Sequence, residues 1–187
     1  MPRRKTLSDE AVLDAALGVM VEKGPTDFTL ADIGRAAGLA PATLVQRFGS
    51  KQELVVAAFT LDNDRFGEAL NAAPKTRGAA AVIALFLILT PAEVDVALFA
   101  DQLLWLRQDM RDPHMNTLAR IRFSRLRAAI AERLPPLAMA PIDAARLIEA
   151  QWHGALNQWG LEPEGRLVDY VTRALADWFA LVQERGG

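Results

Sequence analysis

The feature that most constrains this chain is a pair of short helical patterns, separated by a tight break, within residues 29–54 (TLADIGRAAGLAPATLVQRFGSKQEL). Thr29 is a helix-capping residue, and Asp32 follows it at the spacing of a capping box. Gly38 ends the first helix, because glycine accepts the left-handed conformation found at helix ends. Two helices joined by a short glycine-containing turn form the helix-turn-helix arrangement, whose second helix can enter a DNA major groove.

The second helix of this pair begins at Pro41, since proline is tolerated in the first turn of a helix. Leu44 and Phe48 lie one turn apart on one face of it, and Gly49 closes it. Ser50 then forms a capping box with a glutamate three residues later and opens the next helix. This geometry alone is also that of an ordinary helical hairpin in an all-α domain.

Helical spacing of apolar residues continues through the rest of the chain, and no alternating strand pattern of useful length interrupts it. Thr90 as an N-cap, followed by a first-turn proline, predicts one helix start, and Gly160 predicts the break between the last two helices. The patterned segments outside the pair are residues 8–23, 51–73, 76–89, 90–108, 113–134, 142–159 and 163–184. We therefore predict an all-α fold of about nine helices.

Composition limits the class of protein further. The chain has 187 residues, 51% of them hydrophobic, and no cysteine, which indicates a globular protein without disulfides or thiolate metal sites. The charged start has no apolar run behind it, and the longest apolar run, residues 79–89, is too short to cross a membrane. We expect a cytoplasmic protein with no membrane association, in which this run is a buried helix.

The distribution of charge says more than its sum of −2. Residues 1–51 hold seven Lys and Arg against six Asp and Glu, and residues 52–187 hold fourteen against seventeen. Arg3, Arg4 and Lys5 form a basic arm that can contact phosphates or a minor groove, or can be a solvated terminus. Arg35, Arg47 and Lys51 surround the second helix of the pair.

The order of these features resembles the amino-terminal domain of the tetracycline-repressor (TetR) family of transcriptional regulators. A first helix, Gly24, Phe28-Thr29, the helix pair and the run FGSKQEL at residues 48–54 carry the resemblance, which is sharp over residues 8–60. It implies a three-helix DNA-binding domain over residues 1–54. It also implies a helical effector-binding and dimerisation domain over residues 55–187.

Side chains on and around the second helix are the predicted DNA contacts. Gln46 and Arg47 point away from the buried face and can pair with adenine and guanine, although Arg47 can equally contact phosphate alone. Ala42 can touch a thymine methyl group. The resemblance assigns phosphate contacts to Thr29, Thr43 and Lys51. The full predicted set is Arg3, Arg4, Lys5, Thr29, Arg35, Pro41, Ala42, Thr43, Val45, Gln46, Arg47 and Lys51.

Three positions depart from the pattern usual in that family. Val45 stands where a tyrosine is common, and Arg47 where a histidine or tyrosine is common. Ala40, which precedes Pro41, lacks a capping hydroxyl, at a cost of about 1 kcal/mol to the helix. These departures leave the fold expectation intact, but they bear on DNA affinity and operator type.

Apolar side chains of the second half predict two further surfaces. The expected effector is a small hydrophobic molecule, and the predicted pocket residues, which can also be plain core, are Phe59, Phe86, Phe99, Leu103, Leu106, Met110, Phe123, Trp152 and His153. The resemblance implies a four-helix dimer interface from the last two helices, with at least half of their large apolar residues serving the chain's own core. The predicted interface residues are Leu147, Ile148, Gly154, Ala155, Trp159, Val171, Leu175 and Trp178.

The function expected from these patterns is sequence-specific DNA binding by a homodimer on a palindromic operator, as a repressor released by its effector. The alternative is a helical small-molecule-binding or interaction module that no longer binds DNA. An enzyme is not expected, because His114 and His153 lack ligand-spaced partners and no catalytic or phosphate-binding motif occurs. No cofactor or metal ion is expected either.

Overall fold

A computed structural model of the chain describes residues 7–184, and within them it contains nine α-helices and no β-strand. The expected all-α fold is confirmed. The helices are α1 (Asp9–Asp27), α2 (Leu30–Ala37), α3 (Pro41–Phe48), α4 (Lys51–Ala72), α5 (Ala79–Leu89), α6 (Val96–Arg111), α7 (Pro113–Arg133), α8 (Pro141–Leu161) and α9 (Leu167–Glu184).

The chain divides into two compact units. The first unit comprises Met1–Arg65 and Asp101–Arg120, and the second comprises Phe66–Ala100 and Ile121–Gly187. Helices α4, α6 and α7 therefore each contribute to both units. The predicted boundary between a DNA-binding domain and a second domain after residue 54 stays a prediction.

The core of the first unit joins α1, α2, α3 and the start of α4. Its most deeply buried side chains are Val12, Ala16, Met20, Ile33, Leu44, Leu54, Ala58 and Met115. Trp105 adds an aromatic contact to this core, with its ring centroid 4.9 Å from that of Phe59 and 6.3 Å from that of Phe28. Burial of Leu44 beneath α3 fixes which face of that helix remains outside.

The second unit buries α5 against α8 and α9. Helix α5 is the apolar run predicted to be a core helix, and its Val82, Leu85 and Phe86 are fully buried. The facing core residues of α8 and α9 are Ala144, Ala145, Ile148, Trp152, Ala155, Trp159, Val171, Leu175 and Phe179.

The end signals of the two short helices are as predicted. Thr29 and Asp32 form a complete capping box at the start of α2, and Gly38 ends α2 in the left-handed conformation, with φ 66°. Pro41 is the first residue of α3, and Gly49 ends it with φ 87°. Ala40 makes no side-chain capping hydrogen bond, as its missing hydroxyl requires.

Gly34 makes the turn between α2 and α3 possible, a role that the apolar pattern did not reveal. The Leu39 amide donates to the Gly34 carbonyl over 2.8 Å, which brings the chain back against α2. A Cβ atom at Gly34 would lie 2.5 Å from the Leu39 carbonyl oxygen. Only glycine fits this position unless the backbone of the turn moves.

The predicted start of α6 at Thr90 was wrong. Thr90 ends α5 instead, and its buried hydroxyl donates to the Phe86 carbonyl over 2.9 Å and accepts from the Trp152 indole over 3.1 Å. Helix α6 begins at Val96, where the Asp95 side chain accepts from the Leu98 amide over 2.7 Å. The Thr90 hydroxyl, which the local sequence predicted to cap the next helix, is therefore used in hydrogen bonds to Phe86 and Trp152.

Gly160 does not separate the last two helices, because α8 continues to Leu161. A Cβ at Gly160 would lie 2.6 Å from the Phe99 ring, so the glycine is a point of close packing inside the helix. The break follows instead at Gly165, with φ 65°, and the Trp159 indole donates to the Gly165 carbonyl over 3.2 Å.

Arg133, at the end of α7, is the largest fully buried side chain among the described residues. Its guanidinium donates to the carbonyls of Pro74, Ala129 and Ala73 over 2.8–3.0 Å, and to that of Leu70 over 3.4 Å. The Gly78 amide donates to the Arg133 carbonyl over 2.9 Å. One cation thereby bonds three carbonyls at and just after the end of α4, and a fourth on α7.

Candidate functional site

Helix α3 presents an exposed outer face above a buried anchor. Leu44 is fully buried, whereas Val45 is 43% exposed and Ala42 and Gln46 are also exposed. Pro41 is exposed at the helix start, and Thr43 is half-buried. This arrangement leaves side chains that can hydrogen-bond or touch base edges on the side away from the core.

Arg47 is only partly available, because it is paired within the chain. Its Nε donates to an Asp9 carboxylate oxygen over 2.8 Å, and its Nη2 donates to the same oxygen. The guanidinium carbon also lies 5.7 Å from the Phe48 ring centroid, and the side chain is 20% exposed. The predicted base-reading role of Arg47 therefore requires this ion pair to open.

Lys51, the predicted phosphate contact at the start of α4, also has an internal partner. Its Nζ donates to the Phe28 carbonyl over 2.6 Å and lies 3.9 Å from the centre of the Phe28 ring. The ammonium thus links the α1–α2 connection to the start of α4. A phosphate contact by Lys51 would have to share or replace this hydrogen bond.

Asp32 organises the cations around the start of α2. Its carboxylate accepts from Lys23 over 2.7 Å, from the Thr29 amide over 2.9 Å and from Arg35 over 3.2 Å. The Lys23 hydrogen bond, followed by those from Thr29, holds the pKa of Asp32 well below its ordinary value. The Thr29 hydroxyl serves the capping box, while the Arg35 side chain is 77% exposed.

The predicted basic arm, Arg3, Arg4 and Lys5, lies outside the described residues. Among the other predicted contacts, the structure brings Pro41, Ala42, Val45 and Gln46 together on one exposed surface. We call this surface the α3 outer face.

Four of the predicted pocket residues form one aromatic cluster in the second unit. Trp152 lies 5.5 Å from Phe86 and 4.7 Å from His153, and His153 lies 5.3 Å from Phe123, measured between ring centroids. Phe86 and Trp152 are buried, whereas Phe123 and His153 are half-buried. Burial lowers the pKa of His153, against the opposing effect of nearby Glu149.

The other predicted pocket residues are more scattered. Phe59, Leu103, Leu106 and Met110 belong to the first unit, where Met110 is 71% exposed. Phe99 packs on Trp159 in the core of the second unit, with ring centroids 5.8 Å apart. The aromatic cluster is therefore the set of predicted pocket residues that the structure brings into contact.

An ion pair that the sequence did not reveal lies beside this cluster. Arg127 donates to Glu149 through two nitrogens, one of them over 3.0 Å, and the Glu149 side chain is 8% exposed. The hydrogen bond that Arg127 donates to Glu149 raises the pKa of Arg127. Arg127 on α7 therefore faces α8, which carries Glu149.

The predicted dimer residues divide by burial. Ile148, Ala155, Trp159, Val171 and Leu175 lie in the core of the second unit, in line with the expectation that at least half of the large apolar residues of these helices serve the chain's own core. Leu147 is 49% exposed, Gly154 is exposed and Trp178 is half-buried, so these three are the predicted interface residues that remain accessible.

An open groove of about 480 Å³ lies beside Trp178 on α8 and α9. Its lining mixes polar and apolar groups: Gln151, Gln158, Glu164, Tyr170, Arg173, Ala174, Asp177, Trp178 and Leu181. Among the described residues, no three His, Cys, Asp or Glu side chains cluster as metal ligands would. No helix in the described part of the chain is long and apolar enough to cross a membrane.

Comparison with known proteins places these features in a class. Within residues 7–184, nine helices include an amino-terminal helix-turn-helix whose second helix has an exposed outer face, which is typical of a helix-turn-helix protein. Residues 12–58 match the sequence model of bacterial regulatory proteins of the tetR family. Over this segment, about a quarter of its length, the chain is similar to members of that family.

A curated relative agrees with this assignment over the same region. The chain is 42% identical over 48 residues to the HTH-type transcriptional regulator BetI of Rhizobium meliloti. That match covers 26% of this chain and 24% of BetI, so the chain spans about a quarter of that relative.

Solved structures extend the likeness in fold to nearly the whole chain. A transcriptional regulator from Rhodococcus sp. Rha1 gives a TM-score of 0.76 at 18% identity, over 95% of this chain and 97% of that one. A regulator from Saccharomonospora viridis in complex with choline gives 0.72 at 18%, over 92% and 95%. The multidrug binding protein EbrR with malachite green gives 0.67 at 20%, over 95% and 99%.

Proposed function

We propose that this protein is a transcriptional regulator that binds double-stranded DNA in a sequence-specific manner through α3, and that it acts as a repressor. The observation that carries the proposal is the α3 outer face. Leu44 anchors the helix while Ala42, Val45 and Gln46 remain exposed, as a major-groove reading helix requires. The family match over residues 12–58 supports the same role.

Gln46 is the side chain on this face best suited to read a base. A glutamine amide can both donate to and accept from adenine, and a good bidentate pair discriminates by about 1–3 kcal/mol. Ala42 and Val45 offer methyl groups to thymine. These three residues would set sequence preference, and nearby backbone amides and cations would set affinity.

Selection of duplexes from a randomised pool by the purified full chain tests the proposal. We expect one duplex family to be enriched, and Gln46→Ala to relax preference at one base-pair position. Gln158→Ala, the same change at an exposed position on α8, serves as the control and should leave the preference unchanged. Recovery of no enriched sequence would overturn the proposal.

We also propose a homodimer. One helix-turn-helix makes few base contacts, and two-fold pairing places two reading helices about 34 Å apart on a palindrome. The exposed residues of α8, together with Trp178 on α9, support the pairing surface.

The proposed effector is a small hydrophobic molecule bound at the aromatic cluster of Phe86, Phe123, Trp152 and His153. Aromatic side chains around few polar groups favour such a ligand. Two proteins of similar fold hold choline and malachite green, which supports a ligand-responsive role. Ligand binding would release DNA by favouring a conformation with lower DNA affinity.

Malachite green is a suitable first probe of this site. We expect it to weaken binding of the selected duplex in wild-type protein, and Phe123→Ala to reduce that effect. Tyr170→Ala, the same truncation at a half-buried aromatic residue of the second unit outside the cluster, is the control. Unchanged DNA affinity at a saturating dye concentration would contradict an effector site of this chemistry.

The second candidate function is a small-molecule-binding module without DNA binding. The internal hydrogen bonds of Arg47 and Lys51 favour it, because both cations already have partners. In that case the duplex selection would fail while dye binding persisted.

A further inference from the structure

Arg47 and Asp9 join two helix ends that are 38 residues apart in sequence. Asp9 is in the first turn of α1, and Arg47 is in the last turn of α3. Two guanidinium nitrogens, Nε and Nη2, donate to one carboxylate oxygen, and the guanidinium lies near the Phe48 ring. The contact therefore fixes the end of α3 against the start of α1.

The guanidinium edge that donates to Asp9 is one that base reading could use. An arginine reads guanine with two parallel N–H groups directed at O6 and N7. In this chain, an edge of the guanidinium that could make such a pair is directed at Asp9. The Arg47 side chain is 20% exposed, whereas Gln46 is an exposed residue.

We propose that Arg47 is a positioning residue, which sets the orientation of α3 through Asp9, and that base reading on α3 falls to its outer face, chiefly to Gln46. The inference rests on the proposed DNA-binding function. Asp9 is the partner that holds the reading helix in register with α1. It adds no base contact of its own.

The test measures the affinity and base preference of four proteins on the duplex selected by wild-type protein: Arg47→Ala, Asp9→Asn, the double variant, and Glu10→Gln. Glu10 is the matched control, because it follows Asp9 in the same first turn and its partner is Arg65 on α4 rather than α3. Glu10→Gln therefore reports the effect of removing one negative charge there, while the α3 contact stays intact.

A positioning role predicts that Arg47→Ala weakens binding by about two- to fivefold, the range of a partly exposed ion pair. Asp9→Asn should weaken binding by a similar factor relative to Glu10→Gln, and the double variant should be no weaker than Arg47→Ala. The base preference at every position should match the wild type. The salt dependence of binding should keep its slope, because no phosphate contact is lost.

Two results would overturn the inference. In the first, Arg47→Ala relaxes the preference at one base pair and Asp9→Asn binds more tightly than Glu10→Gln. Arg47 would then be a base reader, and Asp9 would compete with the base for its guanidinium. A fall of about one in the salt slope of Arg47→Ala would make it a phosphate contact.

The controls keep these outcomes separate from a failed fold or a failed function. Circular dichroism shows whether each variant is folded at the assay temperature, and Asp9→Asn tests the pair even if Arg47→Ala unfolds. If wild-type protein enriches no duplex, the proposed function fails. If it enriches one, only the role of Arg47 is in question.

Discussion

Arg133 shows how much one buried cation can determine locally. Its guanidinium bonds the carbonyls at the end of α4, and its own carbonyl accepts from Gly78 before α5. Buried polar groups without partners cost about 1–3 kcal/mol each. The residue therefore holds the connection between two helices in place by hydrogen bonding rather than by apolar packing.

We predict that Arg133→Met lowers the free energy of unfolding by about 3 kcal/mol or more, because several buried carbonyls lose their donor. Urea unfolding followed by circular dichroism measures this change. Arg146→Met, where the side chain is 67% exposed on α8, is the control and should change stability by less than about 0.5 kcal/mol. Equal effects of the two substitutions would show that the carbonyl contacts of Arg133 contribute little.

The lowered pKa of Asp32 predicts that the stability of the fold depends on pH in the acid range. Its pKa in the folded protein lies below its ordinary value of 3.8 because Lys23 and Thr29 hydrogen-bond the carboxylate. This interaction stabilises the fold above that ordinary pKa, and its contribution is lost as the pH falls through the lower folded value. We expect Asp32→Asn to be less stable than wild type at neutral pH.

The stability difference between wild type and Asp32→Asn should shrink as the pH is lowered towards about 2. Urea midpoints at a series of pH values measure it. Asp27→Asn, at an exposed aspartate that ends α1, is the control for loss of charge. A difference that stayed constant across the acid range would exclude the proposed linkage.

At the scale of elements, the turn between α2 and α3 depends on Gly34. We predict that Gly34→Ala destabilises the protein by about 1–3 kcal/mol, because the new methyl group meets the Leu39 carbonyl. Gly18→Ala is the matched control in α1, where a Cβ meets no atom within 4 Å. There alanine should stabilise the helix by up to about 1 kcal/mol. Thermal unfolding of both variants distinguishes the two effects.

Local sequence predicted the elements best where the end signals act within a few residues. Thr29 with Asp32, Gly38 and Pro41 each satisfy or terminate their own helix, and the structure has them as expected. The helix start predicted at Thr90 was wrong because the Thr90 hydroxyl bonds Trp152, 62 residues away, in the folded chain. A cap signal cannot show that a distant side chain will compete for the same hydroxyl.

The same limit applies to the candidate site. The burial of Leu44 and the exposure of Gln46 follow from helical spacing, so the α3 outer face was predictable. The Asp9–Arg47 pair was not, because it depends on how α1 packs against α3. The Arg127–Glu149 pair was not predictable for the same reason, since its two residues lie on different helices.

At the scale of the whole molecule, the exposed residues of α8 and α9 are the proposed pairing surface of a homodimer. We predict that the wild-type chain has about twice its 20.4 kDa mass in solution at micromolar concentration, and that Leu147→Glu shifts it to a monomer. A buried unpaired charge at a pairing surface is costly, which is the reason for the shift. Light scattering measures both.

Ile121→Glu on α7, at a residue that is 41% exposed, is the control and should remain a dimer. A monomeric wild-type chain would remove the proposed homodimer. A Leu147→Glu variant that stayed dimeric would move the pairing surface away from this part of α8.

The placement of the four tryptophans gives the two compact units separate optical reporters. Trp105, packed against Phe59, is the tryptophan of the first unit, and Trp152, Trp159 and Trp178 belong to the second. A variant that keeps only the indole of Trp105 would emit from the helix-turn-helix side alone. Its fluorescence during denaturation, compared with that of the three other indoles, would reveal whether the halves melt together or in succession.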